Sequence, residues 1–78
     1  MSMTPLRKTR IKKGLTLSAV AMSLAAKGEH IDTGNLSRVE RGIQQSSPRL
    51  AEALAAVFAG SINEMHVLYP ERYMNKDA

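Results

Sequence analysis

The sequence has no cysteine and no tryptophan, and only one phenylalanine and two tyrosines in 78 residues. Without cysteine there is no disulfide framework, no thiolate nucleophile and no cysteine zinc site, and the two histidines stand alone in sequence, so no metal and no cofactor is expected. Paired carboxylates, a glycine-rich phosphate loop and a nucleophile-with-base spacing are also missing, which argues against an enzyme. Three prolines and five glycines are too few for a low-complexity linker, and a hydrophobic content of 44% is too high for a disordered chain. One small domain over residues 1–73 is expected, with a flexible tail over 74–78. A domain of this size buries only about 60% of its unfolded surface, so pairing of two copies would help it. The lack of cysteine suits a reducing cytoplasm.

No hydrophobic run is long enough to cross a bilayer. The basic stretch Arg7 to Lys13, followed by the apolar Leu15 to Ala26, has the outline of a signal peptide, but Ser18 and Ser23 interrupt it. A helical period describes it better, because Leu17, Val20, Ala21 and Leu24 share one stripe. No membrane partner is expected, although a membrane-active basic helix over Arg7 to Lys27 is an alternative to hold against the other readings.

Charge is abundant but unevenly placed. Residues 1–49 hold nine Lys or Arg against three Asp or Glu, a balance of +6, whereas residues 50–78 hold two against four, a balance of −2. A basic half joined to a mildly acidic half points to one surface for a polyanion and another for a different task.

The punctuation predicts five short helices and no strand. Thr4-Pro5 is a cap followed by proline at the first helical position, and the first helix runs through Leu6 to Lys13, ending at Gly14. Thr16 caps a second helix that extends to Ala26 or Lys27 and stops at Gly28. Asp32 or Thr33 opens a third, running to Arg41 and closed by Gly42. Ser47-Pro48 opens a fourth with a Leu50, Leu54, Val57 and Phe58 stripe ending near Gly60. Ser61 to Glu64 has the form of a capping box for a fifth, carried through Met65 and Leu68 and stopped by Pro70. The expected fold is a compact five-helix, all-α domain.

The third helix carries the chemistry. Leu36, Val39 and Ile43 fall on one side and are expected in the core, leaving Gly34, Asn35, Arg38 and Arg41 on the other. Thr33, Asn35 and Arg38 offer the hydrogen-bonding groups that read base edges in a major groove, and Gly34 allows close backbone approach. Arg41 is expected on a phosphate. Glu40 lies beside the buried stripe, where a carboxylate needs a partner; Arg10, four residues after Leu6, is the best-placed base, so an Arg10–Glu40 ion pair is predicted.

Three segments, taken together, resemble the Xre/Cro helix-turn-helix family of lambda-type phage repressors. They are Leu6-Arg-Lys-Thr-Arg-Ile-Lys-Lys-Gly-Leu-Thr16, Leu36-Ser-Arg-Val-Glu-Arg-Gly42, and Ser47-Pro-Arg-Leu50 through Ile62-Asn-Glu-Met65. The resemblance covers about residues 6–68, and it implies a lambda repressor-like domain that inserts its third helix into the major groove. It puts Thr33, Gly34, Asn35 and Arg38 on base-reading positions. It puts Thr16, Leu17, Gln44, Gln45, Ser46, Ser47 and Arg49 on phosphate-contacting positions, and Arg10 and Glu40 on the family's buried pair. Two departures stand out. Between Ala25 and Ile31 the chain has about five residues more than the family's tight turn, leaving Lys27 and His30 in a solvated loop or near a phosphate. Leu17 stands where many members have a phosphate-binding glutamine, so that contact falls to backbone N–H groups.

The C-terminal part offers more apolar surface than a chain end needs. Met65, Val67, Leu68 and Tyr69 are expected either to close the core or to pair two copies. The function expected from these readings is a sequence-specific, dimeric regulator of transcription, a Cro-like repressor of phage or prophage type, acting on a double-stranded DNA operator. The alternative is an antitoxin of the same fold whose apolar C-terminal surface binds a toxin protein.

Overall fold

Every α-helix begins at a side chain that accepts a hydrogen bond from the first turn. In the computed structural model, which describes residues 3–74, the helices are α1 (Pro5–Lys12), α2 (Leu17–Ala26), α3 (Thr33–Glu40), α4 (Pro48–Val57) and α5 (Glu64–Leu68), followed by a 3₁₀ turn, Pro70–Arg72. Their caps are Thr4, Thr16, Asp32, Ser47 and Asn63, each satisfying a backbone N–H that helix geometry leaves without a partner. The described residues are therefore all-α, as the spacing of caps and prolines predicts. No helix among them is long and apolar enough to cross a membrane.

The first three helices end alike. The backbone N–H two residues beyond each C-cap turns back onto the carbonyl five residues before it: Leu15 onto Arg10, Glu29 onto Leu24, Ile43 onto Arg38. At α3 this closure needs Gly42, whose φ is +79°, a conformation costly for residues with a Cβ. Gly42→Ala is expected to cost about 1–2 kcal/mol of stability, read as a lower thermal midpoint by circular dichroism; an unchanged midpoint would show the closure to be dispensable.

Gly42 also explains a correction. Ile43 was expected on the core stripe with Leu36 and Val39, but it is 67% exposed while those two are buried. The left-handed turn ends the helical register one residue before Ile43 and directs the side chain outward. Elsewhere the stripes behave as helical geometry predicts. Val20 and Leu24 of α2, Leu50 and Leu54 of α4, and Phe58 just beyond it meet Leu6 and Leu36 in one core, with Leu17, Ala21 and Val57 half-buried against it. α4 packs on α2 and α5, α2 on α3, and α1 on α5.

The start of α5 is also corrected. The capping box is formed by Asn63 and His66, not by Ser61 and Glu64: the Asn63 side chain accepts from the His66 N–H at 3.2 Å, and His66 Nδ1 accepts from the Asn63 N–H at 3.0 Å. Ser61 is unavailable because its N–H closes the exit of α4 on the Phe58 carbonyl, and Ile62 is drawn into the core. Val67 is core as well, 5% exposed, which removes it from the expected pairing surface; Leu68 is half-buried against the same cluster. Of the expected flexible tail, Met74 is half-buried and residues 75–78 lie outside the described residues.

Candidate nucleic-acid interface

The outward side of α3 is ordered by its own cap. Asp32 Oδ1 accepts from the Asn35 backbone N–H at 3.2 Å and from Asn35 Nδ2 at 2.6 Å. Arg38 Nη1 in turn donates to Asn35 Oδ1 at 3.4 Å. Asp32, Asn35 and Arg38 thus form a short relay along one exposed side, one turn apart at each step, with Thr33 and Gly34 exposed beside it. The relay fixes the amide orientation of Asn35 and leaves most of the Arg38 guanidinium free to donate. Asp32 was foreseen only as a possible helix opener. Its spacing of three from Asn35 is the signal for this second role. An added Cβ on Gly34 would meet only Asp32 Oδ2, at 3.5 Å, so the backbone there is open to close approach.

The opposite side of α3 is anchored to α1. Arg10 meets Glu40 in a two-pronged ion pair, Nε on Oε2 and Nη2 on Oε1 at 3.0 Å, and its remaining Nη1 donates to the Leu15 carbonyl at 2.8 Å. Glu40 is 3% exposed, so the charge would be costly there without this partner. The hydrogen bond to Glu40 holds the Arg10 pKa above its ordinary value; burial opposes the shift and the Coulombic attraction adds to it. Thr4 adds a tie that the sequence reading missed. Its hydroxyl accepts from the Arg7 N–H as the cap of α1 and donates to the Glu40 carbonyl, 36 residues away. The C-terminal end of α3 is therefore gripped twice by α1, once at a side chain and once at the backbone.

The flanking positions are divided. Thr16 is exposed and caps α2 through the Ala19 N–H at 3.0 Å. Leu17 is half-buried on the core, so only its backbone at the helix start is available to a phosphate. Gln44 and Gln45 are exposed. Ser46 is corrected: it is 6% exposed and its hydroxyl donates to the Ser47 carbonyl at 2.8 Å, so it stabilises the loop from inside. The Ser47 hydroxyl is engaged as the cap of α4. Arg41, the C-cap of α3, is exposed and donates from Nε to the Ser37 carbonyl at 3.3 Å. Arg49 is exposed but has a partner, Glu29 Oε2 at 3.4 Å.

A second surface lies between the α3–α4 loop and the chain after α5. A cleft of about 350 Å³ is lined by Ile43, Gln44, Gln45, Leu68, Tyr69 and Pro70, among others. Ile43 and Tyr69, which line it, are exposed, as is Met65 in α5. The Arg72 guanidinium covers the Tyr69 ring at 4.6 Å, and His66 packs against Tyr73 at a tilt of 51° with centroids 4.2 Å apart. No family model, curated protein or solved structure matches the chain.

Proposed function

We propose that the protein is a sequence-specific, double-stranded DNA-binding regulator of transcription, a Cro-like repressor of the helix-turn-helix class resembling the Xre/Cro family. The observation that carries the reading is the exposed Asp32–Asn35–Arg38 relay on a helix whose other side is anchored by the Arg10–Glu40 pair. A reading helix must offer oriented donors and acceptors on one side and resist displacement on the other. Arg38 supplies the fork that fits O6 and N7 of guanine, Asn35 the amide that fits adenine, and Thr33 a hydroxyl and methyl suited to either a base edge or a thymine methyl. Gly34 admits the backbone to the groove floor. Phosphate contacts come from the start of α2 at Thr16 and Leu17, from Arg41, from the exposed Gln44 and Gln45 with the backbone of Ser47, and from Arg49.

A dimer paired through Ile43, Met65 and Tyr69, with its third helices in half-sites one helical turn apart, would exclude other proteins from such an operator. The exposed Ile43, Met65 and Tyr69 also favour a second reading, an antitoxin that holds a toxin protein at this surface. Dimers of the isolated chain in solution would support the first; a monomer captured by a protein product of a neighbouring gene would support the second.

The interface is tested by following backbone amide resonances as a mixed-sequence duplex is added. Shifts are expected at residues 16–17, 32–38 and 44–49. Shifts confined to the exposed lysines of α1 would show that α3 is not the contacting element.

A further inference from the structure

Beside the proposed DNA interface stands a residue placed to oppose binding, a role that rests on the DNA-binding reading. The segment joining α2 to α3 is held at both ends: the Glu29 N–H is bonded to the Leu24 carbonyl at 2.9 Å, and Ile31 packs half-buried on the core. Between these points the Glu29 side chain, 22% exposed, is held beside Arg49, whose side chain is 82% exposed. Arg49 is the sole Lys or Arg between Arg41 and Arg72, so beyond Arg41, the C-cap of α3, the α3–α4 loop and the first turn of α4 have this one cation. Its Nε faces Glu29 Oε2 at 3.4 Å.

To a guanidinium, a carboxylate and a phosphate diester present the same kind of group, an anion with two accepting oxygens. We infer that Glu29 is an internal competitor of the DNA phosphate for Arg49, so that the α2–α3 segment lowers the affinity of the interface. DNA binding then requires Arg49 to leave Glu29 or to share it with a phosphate, and the retained carboxylate repels the approaching backbone. A role for the pair in holding the fold is small, because exposed ion pairs contribute little to stability and the segment is fixed by its backbone closure and by Ile31.

The test is the affinity of wild type, Glu29→Gln, Arg49→Gln and the double variant for a mixed-sequence duplex, by fluorescence anisotropy between about 50 and 200 mM salt. Glu29→Gln is expected to bind roughly two- to five-fold more tightly, the gain corresponding to release from an exposed ion pair. Its logarithmic salt dependence should steepen by up to about 0.9, one additional phosphate neutralised. Arg49→Gln should cost more in the Glu29→Gln background than in wild type, with all four proteins showing the same thermal melt. Equal or weaker binding by Glu29→Gln overturns the inference. So does a gain that persists undiminished without Arg49, since it would reflect only the loss of a negative charge. A wild type that binds no duplex even at the lowest salt overturns the DNA-binding reading and this inference with it.

Discussion

Glu40→Ala is expected to remove about 3–5 kcal/mol of folding stability, the cost of breaking a buried ion pair by deleting one partner. A single core of this size supplies only about 3–5 kcal/mol in total, so the variant should be largely unfolded at room temperature. The loss comes from Arg10, whose guanidinium has a side chain 16% exposed and would keep only its bond to the Leu15 carbonyl. Thr4 cannot compensate, because its bond is to the Glu40 backbone and is already made. Replacing both partners together, Arg10→Met with Glu40→Leu, should recover much of the stability, since no charge is then stranded. Urea denaturation followed by circular dichroism reads both variants; an unchanged midpoint for Glu40→Ala would show that the pair does not anchor α3. Because the folded state raises the Arg10 pKa, the stabilisation this group brings is complete below its ordinary titration range and is lost only when pH rises through the higher folded value. Neutral and mildly alkaline solutions therefore leave the arginine's contribution intact.

Arg38→Ala is expected to lower specific DNA affinity by roughly 1–3 kcal/mol and to relax the preference at one base position. Stability should hardly change, because Arg38 is exposed and its one side-chain hydrogen bond, to Asn35, is long at 3.4 Å. The two effects separate cleanly: Glu40→Ala acts on the fold and Arg38→Ala on the proposed reading surface. Competition assays against duplexes altered one base pair at a time distinguish the outcomes. An equal loss on every sequence would make Arg38 a phosphate contact, and no loss at all would remove α3 from the interface.

What could be seen in the sequence depended on range. Caps, prolines and glycine stops act within three or four residues, so Thr4, Thr16 and Ser47 announced their helices before any tertiary contact was known, and Asp32 stood beside Thr33 as one of two candidates for the cap of α3. The Arg10–Glu40 pair spans 30 residues and was still legible, because a carboxylate beside a buried stripe creates a demand that few bases can meet. Thr4 on the Glu40 carbonyl was not legible, since a backbone acceptor leaves no mark in sequence. Ile43 misled because its spacing continued the stripe while Gly42 had already left the helix. The Asn63–His66 box was hidden by a histidine at the position where glutamate or glutamine usually signals such a cap. For Val67 core closure and pairing were both left open, Ser46 carried no local sign of burial, and Glu29 and Arg49 meet only through the path of the α2–α3 segment.

Whether α3 reads duplex DNA in a sequence-dependent way, as proposed, is decided by selection from a pool of random duplexes at about 0.15 M salt, where non-specific binding is weakened. Sequencing of the retained DNA is expected to reveal an inverted repeat with arms about one helical turn apart. Retention without any enriched motif, or no retention, would contradict it.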